Sequence, residues 1–443
     1  MAFALSLVRV GAVLLAASAV GWAVGGALFP SDRLYRTERL GWSYALGCGT
    51  TAAFVPLSFL VGARPTWIVF LVFALLLLTP RLVPAPLTLP AGRSLRKSRP
   101  SIAAGLPCGE GGLSQALLWS LIVLGIVLYA LRALTEPMWA NDFIAIWGLK
   151  GKTIFGAAGF PERLTGLEFA HPEYPLGLPL LYAGIAFLTG RWDDHAMALV
   201  FPLLQVATLA VLVGWLRRRG VSSTVAYLAT AIVACFEPLY SAFLTGMAEV
   251  PLSFGVLLFG TALADALEGT DAGALRRLAF AAALIAAMKN EGVFLAAAGS
   301  LLALIFGKGG RWKIALAALS SALLVRALHL PWRSRLPLTD FEWSLFSMER
   351  VWDSLAAAAV LLGWATWAGL ALLLVLIALG DRVPAGDRLL LLAACAVVAY
   401  LVIPAFAVRG PAWLIETTLL RTTAALVPLV AAAIAVRFTR PRG

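Results

Sequence analysis

The sequence predicts an all-α, polytopic membrane protein, and three observations support this class. Hydrophobic residues make up 61% of the 443 residues and charged residues only 13%, with a mean hydropathy of +0.90, which does not fit one soluble core with a solvated surface. Apolar stretches of roughly 15–25 residues recur along the chain, and at about 1.5 Å per residue the longer ones can cross a hydrocarbon core of about 30 Å. The stretches lack the alternating pattern of barrel strands, so we expect helices.

Hydropathy and length predict about thirteen transmembrane helices. They are residues 10–29, 41–62, 66–80, 114–134, 196–216, 224–244, 249–267, 276–289, 292–307, 314–330, 356–379, 389–408 and 420–436. The first stretch could instead belong to a signal peptide flanked by Arg9, but it is long for that role and further spans follow, so we expect a retained helix. We divide the chain into an N-terminal part, 1–113, which ends in a basic cytoplasmic linker, and a catalytic part, 114–443.

Basic residues between the spans indicate the orientation, because short cytoplasmic loops are rich in lysine and arginine. The clusters are Arg81, Arg93, Arg96, Lys97 and Arg99; Arg217, Arg218 and Arg219; Arg276 and Arg277; Lys308, Arg311 and Lys313; and Arg437, Arg440 and Arg442. Their dispersal argues that the net charge of +12 reflects topology and not nucleic-acid binding. All clusters face the cytoplasm only if residues 171–190 do not cross the membrane. We therefore expect this short apolar segment to lie in the outer leaflet, within one external loop from about 135 to about 195.

Acidic residues stand at the outer end of three spans in this topology. Asp142 follows the span at 114–134, Glu249 lies at the outward turn "TGMAEVPLSF", and "MKNEG" places Lys289, Asn290 and Glu291 at the next outward turn. Any one of these acids alone could be a snorkelling or capping residue. Their coincidence in one plane favours a functional site, in which a carboxylate at an apolar boundary serves as a general base for an acceptor hydroxyl.

Cations accompany these acids on the outer side, where the positive-inside tendency would not place them. They are Lys150, Lys152, Lys289, Arg333, Arg335, Arg409 and Arg421. Such groups can bind phosphate or pyrophosphate and stabilise the charge on a departing lipid phosphate, or they can form surface ion pairs with nearby acids. The outer tryptophans, Trp139, Trp147, Trp192, Trp332, Trp343 and Trp413, fit an interfacial aromatic belt better than a sugar platform.

Cysteine and histidine give little indication of a metal site. The four cysteines are scattered without metal-ligand spacing, which predicts neither a disulfide framework nor a zinc site. His171 stands alone before a proline, a setting more typical of a capping or hydrogen-bonding residue than of a metal ligand. A divalent metal held by carboxylates alone stays open, and we assign no metal ligand and no other cofactor.

The motifs resemble those of the C-type membrane glycosyltransferases (GT-C fold), a superfamily that includes protein O-mannosyltransferases and the aminoarabinose transferases of lipid A. The resemblance rests on "ANDFIAIWGLKGK", "HPEYPLGLPL", "AEVPLSF", "MKNEG" and "LIETTLLRTTAALVPL" and covers roughly residues 114–436. It implies that Asp142 is the catalytic aspartate and Glu249 a second acid of the site. It also implies substrate-binding roles, which we assign to Lys150, Lys152, His171, Glu173, Tyr174, Lys289, Asn290, Glu291 and Arg421. Two features depart from the pattern: Asn141 precedes Asp142 where some members have paired acids, and three spans come before the motif-bearing one.

The function expected from this resemblance is inverting transfer of a sugar from a polyprenyl-phosphate donor to an acceptor hydroxyl. The acceptor is a glycan, a lipid or a protein, and the resemblance implies no nucleic-acid partner. We expect a multi-pass protein of a bacterial inner membrane with its site on the extracytoplasmic side. The alternative is a multi-span transporter or lipid flippase, which Pro238 beside Glu237 within an apolar run would favour.

Overall fold

The computed structural model describes residues 2–28, 34–78, 112–160, 171, 174–269, 273–307, 310–333, 342–378 and 385–437. Every regular element among them is helical, as the sequence predicts. The helices of the first half are α1 (Ala2–Leu28), α2 (Arg36–Leu60), α3 (Trp67–Leu78), α4 (Gly112–Thr135), α5 (Gly148–Ala157), α6 (Gly177–Thr189), α7 (Asp194–Met197), α8 (Val200–Arg218) and α9 (Ser223–Ala234). Those of the second half are α10 (Glu249–Glu268), α11 (Ala274–Met288), α12 (Glu291–Phe306), α13 (Arg311–Arg333), α14 (Met348–Ala378), α15 (Ala385–Val402), α16 (Pro411–Ala424) and α17 (Val427–Arg437).

Six described helices are long and apolar enough to cross a membrane, or seven if the bent pair α16 and α17 forms one span. A multi-pass membrane protein is therefore confirmed, while the count of about thirteen spans and the GT-C topology stay predictions. Two predicted spans differ in detail. The helix predicted over 224–244 ends at Ala234 and is followed by turns, and the one predicted over 420–436 is broken by a 47° bend between α16 and α17.

Helix α10 lies at the centre of the bundle. It is buried from Glu249 to Leu267 and packs against α8, α11, α12, α15 and α17. Glycine permits a close approach of α17 to α10. A Cβ atom added at Gly260 would lie only 2.3 Å from Leu429 Cδ1, which is too short for a contact between side chains.

The N-terminal helices pack closely on each other and on the rest of the bundle. Helices α1 and α2 meet at glycines, where a Cβ atom added at Gly21 would lie 1.9 Å from the carbonyl oxygen of Ser43. Helix α2 then packs against α6 and α8. Residues before 113 thus contribute to the packing of the part that carries the predicted site.

The segment 171–190, which we predict to lie in the outer leaflet, contains helix α6, and its depth in the membrane stays a prediction. All residues of α6 except Phe187 and Thr189 are buried, and α1, α2 and α5 surround the helix. A Cβ atom added at Gly184 would lie 2.7 Å from the carbonyl oxygen of Thr51, so the helix is held against α2 at very short distance. The segment is short because it is a buried helix inside the bundle.

Charged residues at one end of α8, α10 and α11 form a network that we call the arginine clasp: Glu38, Arg218, Arg219, Asp265 and Arg277. The carboxylate of Asp265 accepts hydrogen bonds from Arg218 at 2.7 Å, Arg219 at 2.8 Å and Arg277 at 3.1 Å, and Arg218 also binds both carboxylate oxygens of Glu38 at 2.9 Å. Asp265 lies sixteen residues after Glu249, or about 24 Å along α10. The three arginines of the clasp, which we predict to be cytoplasmic, therefore lie at the opposite end of α10 from Glu249.

Candidate functional site

Asp142 occupies a local irregularity of the helix that follows α4. The five residues Phe143–Trp147 form one turn of π-helix that continues into α5, a rare geometry that is frequent at functional sites. Phe143, Ile146 and Trp147 are buried and anchor the turn. The carboxylate of Asp142 stays 25% exposed and accepts a 2.6 Å hydrogen bond from Arg421 Nη1, 279 residues further along the chain.

Five charged residues form a continuous chain at this end of the bundle, which we call the site cluster: Asp142, Glu249, Lys289, Glu291 and Arg421. Arg421 Nε lies 3.4 Å from Glu249 Oε1, and Lys289 Nζ lies 3.2 Å from the same oxygen. Lys289 Nζ also lies 3.1 Å from Glu291 Oε1. Acidic and basic groups thus alternate along the chain, so each cation lies between two carboxylates.

Helix termini position these charges favourably. Glu249 and Glu291 are the first residues of α10 and α12, where the partial positive charge of the helix end stabilises a carboxylate. Lys289 caps the C-terminus of α11, where a cation is favoured. The side chains of Glu249 and Lys289 are only 1% and 5% exposed. Buried charges of this kind are stable only when paired, and the ion pairs provide that compensation.

A cavity of about 620 Å³ opens beside the site cluster. Its polar lining is Tyr174, Lys289, Asn290, Glu291, Arg326, Tyr400, Thr418, Arg421 and Thr422. Its apolar lining includes Val293, Phe294, Leu323, Ile403, Phe406 and Leu414. The cavity lining therefore combines three basic groups and one acid with apolar side chains, and this combination suits an amphiphilic ligand with an anionic group.

Several polar atoms in and beside this cavity have no hydrogen-bond partner within the described part of the chain. They are the hydroxyl of Tyr400, Oδ1 of Asn290 and Oε2 of Glu249, and all three are buried. Buried polar atoms in folded proteins nearly always have a partner, so unsatisfied ones beside a cavity indicate the groups that a bound ligand or water would meet.

An aromatic stack forms one side of the site. The Tyr174 ring packs between Trp147, with ring centroids 5.4 Å apart, and His171, at 4.8 Å. The ammonium of Lys150 is buried and donates a 2.6 Å hydrogen bond to the carbonyl of His171, whose backbone has a positive φ of 48°. Lys150 thus holds the backbone of the His171–Tyr174 segment.

The other predicted site residues either line the cavity or lie outside its lining. Asn290 and Tyr174 line the cavity. Lys150, which we expect beside the lipid phosphate, is buried, donates a hydrogen bond to His171 and is not among the residues that line the cavity. Lys152 is exposed and lies outside the cavity lining. Glu173 lies outside the described residues.

Sequence reasoning missed Arg326 and Tyr400, which line the cavity from α13 and α15. Both stand inside apolar stretches and belong to no motif. For Arg326 a signal existed, since an ionisable residue within an apolar helix is costly and therefore points to function.

Comparisons with known proteins do not extend this description. No protein-family model, no curated protein and no solved structure matches the chain. Among the described residues, no group of three or more histidine, cysteine, aspartate or glutamate side chains is arranged to hold a metal ion. The glycosyltransferase assignment thus stays a prediction from the motifs.

Proposed function

We propose that the protein is an inverting glycosyltransferase that moves a sugar from a polyprenyl-phosphate donor to an acceptor hydroxyl at the outer face of a bacterial inner membrane. The observation that carries the proposal is the pairing of Asp142 with Arg421, which lines a cavity that combines basic and apolar side chains. A polyprenyl-phosphate sugar likewise combines an anionic head with a hydrocarbon tail.

The reaction is one displacement. The Asp142 carboxylate takes the proton of the acceptor hydroxyl, the hydroxyl oxygen attacks the anomeric carbon, and the bond from that carbon to the phosphate oxygen breaks with its electron pair on the phosphate. Lys289 and Arg421 stabilise the charge on the departing phosphate, and Arg326 lies at the same cavity to assist them. Glu249 orients the two cations by lying between them.

The fully buried charges bear on the transporter alternative, which places ionisable residues near the midplane on broken helices; two cavity residues share that character, Arg421 on the bent pair α16 and α17 and Arg326 inside α13. The buried charged residues of the described part of the chain are Glu38, Lys150, Glu249, Asp265, Arg277, Lys289 and Asp387. Each lies within four residues of a helix end. Glu237, the residue most favourable to the alternative, is 61% exposed and pairs with Arg132 at 3.5 Å.

The test is a transfer assay with purified protein, a panel of radiolabelled polyprenyl-phosphate sugars and a total membrane extract as the acceptor source. We expect Asp142→Asn to lower transfer by about 10²–10⁴-fold while donor binding persists, because a positioned general base contributes about that factor. Asp387→Asn is the matched control, since it makes the same change in an aspartate–arginine pair of 2.8 Å at the opposite end of the bundle.

Two results would contradict the proposal. Full turnover in Asp142→Asn would show that Asp142 is not the base. No transfer from any donor, by wild-type protein that is folded and binds the lipids, would favour a flippase.

A further inference from the structure

Tyr400 is a buried polar residue of the cavity that takes no part in the proposed displacement. It lies two residues before the end of α15 and is 6% exposed. Its hydroxyl group has no hydrogen-bond partner within the described residues, although the hydroxyl of a buried tyrosine usually has one. Because Tyr400 lines the cavity, a ligand bound there can supply the missing partner.

Asn290 carries a second unsatisfied atom in the lining of the same cavity. It occupies the N-cap position of α12, where an asparagine side chain usually accepts a hydrogen bond from the first turn of the helix. Here the side chain makes no capping hydrogen bond, and Oδ1 is buried without a partner in the described part of the chain. The side chain of Asn290 therefore does not stabilise the end of α12 and can bind a ligand instead.

The hydrogen-bonding capacity of these two atoms indicates a hydroxyl group and not a phosphate. Oδ1 of Asn290 only accepts hydrogen bonds, whereas the hydroxyl of Tyr400 both donates and accepts. An ionised phosphate oxygen also only accepts, so it cannot satisfy Oδ1. The hydroxyl groups of a sugar can donate to Oδ1 and exchange a hydrogen bond with Tyr400.

The charges near Tyr400 favour the same group. The carboxylates of Glu249 and Glu291 act electrostatically on the Tyr400 side chain. An anion bound at the hydroxyl of Tyr400 would therefore meet two like charges, whereas a neutral sugar meets no such repulsion.

This cavity also reaches the proposed reaction centre. Arg421 lines it, donates a 2.6 Å hydrogen bond to Asp142 and lies 3.4 Å from Glu249. In the donor, the sugar is joined to the phosphate through one oxygen atom. A phosphate bound by Arg421 thus places its sugar in the same cavity as Asn290 and Tyr400.

We propose that Asn290 and Tyr400 bind hydroxyl groups of the donor sugar and determine which sugar the site accepts. This assignment rests on the proposed function, whose substrate it specifies further. Binding of a lipid-phosphate sugar can be measured without any transfer, however, so the two proposals can fail separately.

The experiment is isothermal titration of the full-length protein in detergent micelles with two kinds of ligand. One is polyprenyl phosphate alone, and the other is its esters with glucose, galactose, mannose, arabinose and N-acetylglucosamine. We expect at least one ester to bind the wild type more tightly than polyprenyl phosphate alone does. For that ester, Tyr400→Phe and Asn290→Ala each weaken binding by on the order of tenfold, because each leaves a sugar hydroxyl without its partner. The affinity for polyprenyl phosphate alone stays unchanged in both variants.

Tyr44→Phe is the matched control for Tyr400→Phe. Tyr44 is 7% exposed, but its hydroxyl donates a 3.2 Å hydrogen bond to the carbonyl of Val200, and it lies outside the cavity lining. We expect Tyr44→Phe to lower the thermal unfolding midpoint and to leave the affinity for the ester unchanged. Tyr400→Phe has the opposite effects, since it retains the midpoint and weakens binding of the ester.

Four results would overturn the assignment. No ester binds more tightly than polyprenyl phosphate alone, or neither variant changes the affinity for the ester. Tyr400→Phe weakens binding of polyprenyl phosphate alone as much as binding of the ester, which would place the phosphate at the hydroxyl. Tyr400→Phe raises only the KM for the acceptor, which would place the acceptor there. Weaker ester binding in both variants of a protein that transfers nothing would keep the sugar site and remove the glycosyltransferase function.

Discussion

Replacing Glu249 with glutamine removes the buried negative charge that Lys289 and Arg421 share. The ammonium of Lys289 lies 3.2 Å from Glu249 Oε1, and both side chains are at most 5% exposed. At that separation, Coulomb's law with an effective dielectric constant of about 20 gives an attraction of about 5 kcal/mol. Each cation keeps a second carboxylate, Glu291 for Lys289 and Asp142 for Arg421, so we expect Glu249→Gln to lower the free energy of unfolding by about 1.5–3 kcal/mol, the usual contribution of a hydrogen bond to a charged group.

A double-mutant cycle with Lys289→Met isolates this attraction from the other effects of each substitution. The free energy of unfolding is measured by titration with sodium dodecyl sulfate in mixed micelles for the wild type, both single variants and the double variant. We expect the double variant to lose less stability than the sum of the single variants, with a coupling energy of about 2 kcal/mol or more. Glu291 remains as a second partner of Lys289 and keeps the coupling below the Coulomb value.

The pair Asp387–Arg437 is the control for this cycle. Its separation is 2.8 Å, but the arginine side chain is 30% exposed, so we expect a coupling energy of about 1 kcal/mol or less. Additive losses at Glu249 and Lys289, within about 0.5 kcal/mol, would refute the reasoning, since independent sites behave in that way.

Two further predictions concern the packing that positions the site. Arg218→Gln should lower the free energy of unfolding by about 3–5 kcal/mol, because it removes a cation bound to two buried carboxylates of the arginine clasp. The measurement is the same titration with sodium dodecyl sulfate. A loss of less than about 1 kcal/mol would show that the clasp is not formed. Gly21→Ala should lower the unfolding midpoint, since its Cβ atom would lie 1.9 Å from a backbone oxygen of α2. Gly156→Ala is the control, because nothing lies within 4 Å of the added Cβ atom, and it should leave the unfolding midpoint unchanged or raise it slightly. Equal effects of the two substitutions on the midpoint would contradict the close crossing of α1 and α2.

The meeting of Asp142, Glu249, Lys289 and Arg421 could be anticipated from the sequence because each stands where an apolar stretch ends. Antiparallel helices of similar length bring alternate ends to the same side of a bundle, so turns on one side share a plane. Only the structure shows that Arg421 and Asp142 make a direct ion pair, since the order of helices around the bundle is not encoded in any local pattern.

Lys150 and α6 show what the sequence pattern leaves open. Lys150 lies eight residues after Asp142 and donates a hydrogen bond to the carbonyl of His171, a contact that no local pattern encodes. Helix α6 is as apolar as a lipid-exposed segment, yet it is enclosed by protein. Its small residues, such as Gly184 against α2, were the available signal of burial.

The two charged networks of the bundle are built from similar parts and differ in what surrounds them. In the arginine clasp, three arginines converge on Asp265, and Arg277 at its centre is fully buried. In the site cluster, Lys289 and Arg421 instead line a cavity, and Oε2 of Glu249 has no hydrogen-bond partner in the described part of the chain. Buried atoms without a hydrogen-bond partner occur in both networks, such as Nε of Arg219 in the clasp, so they do not distinguish the two. The difference is the cavity: the cations Lys289 and Arg421 line an open space of about 620 Å³ in which an anionic group can meet them.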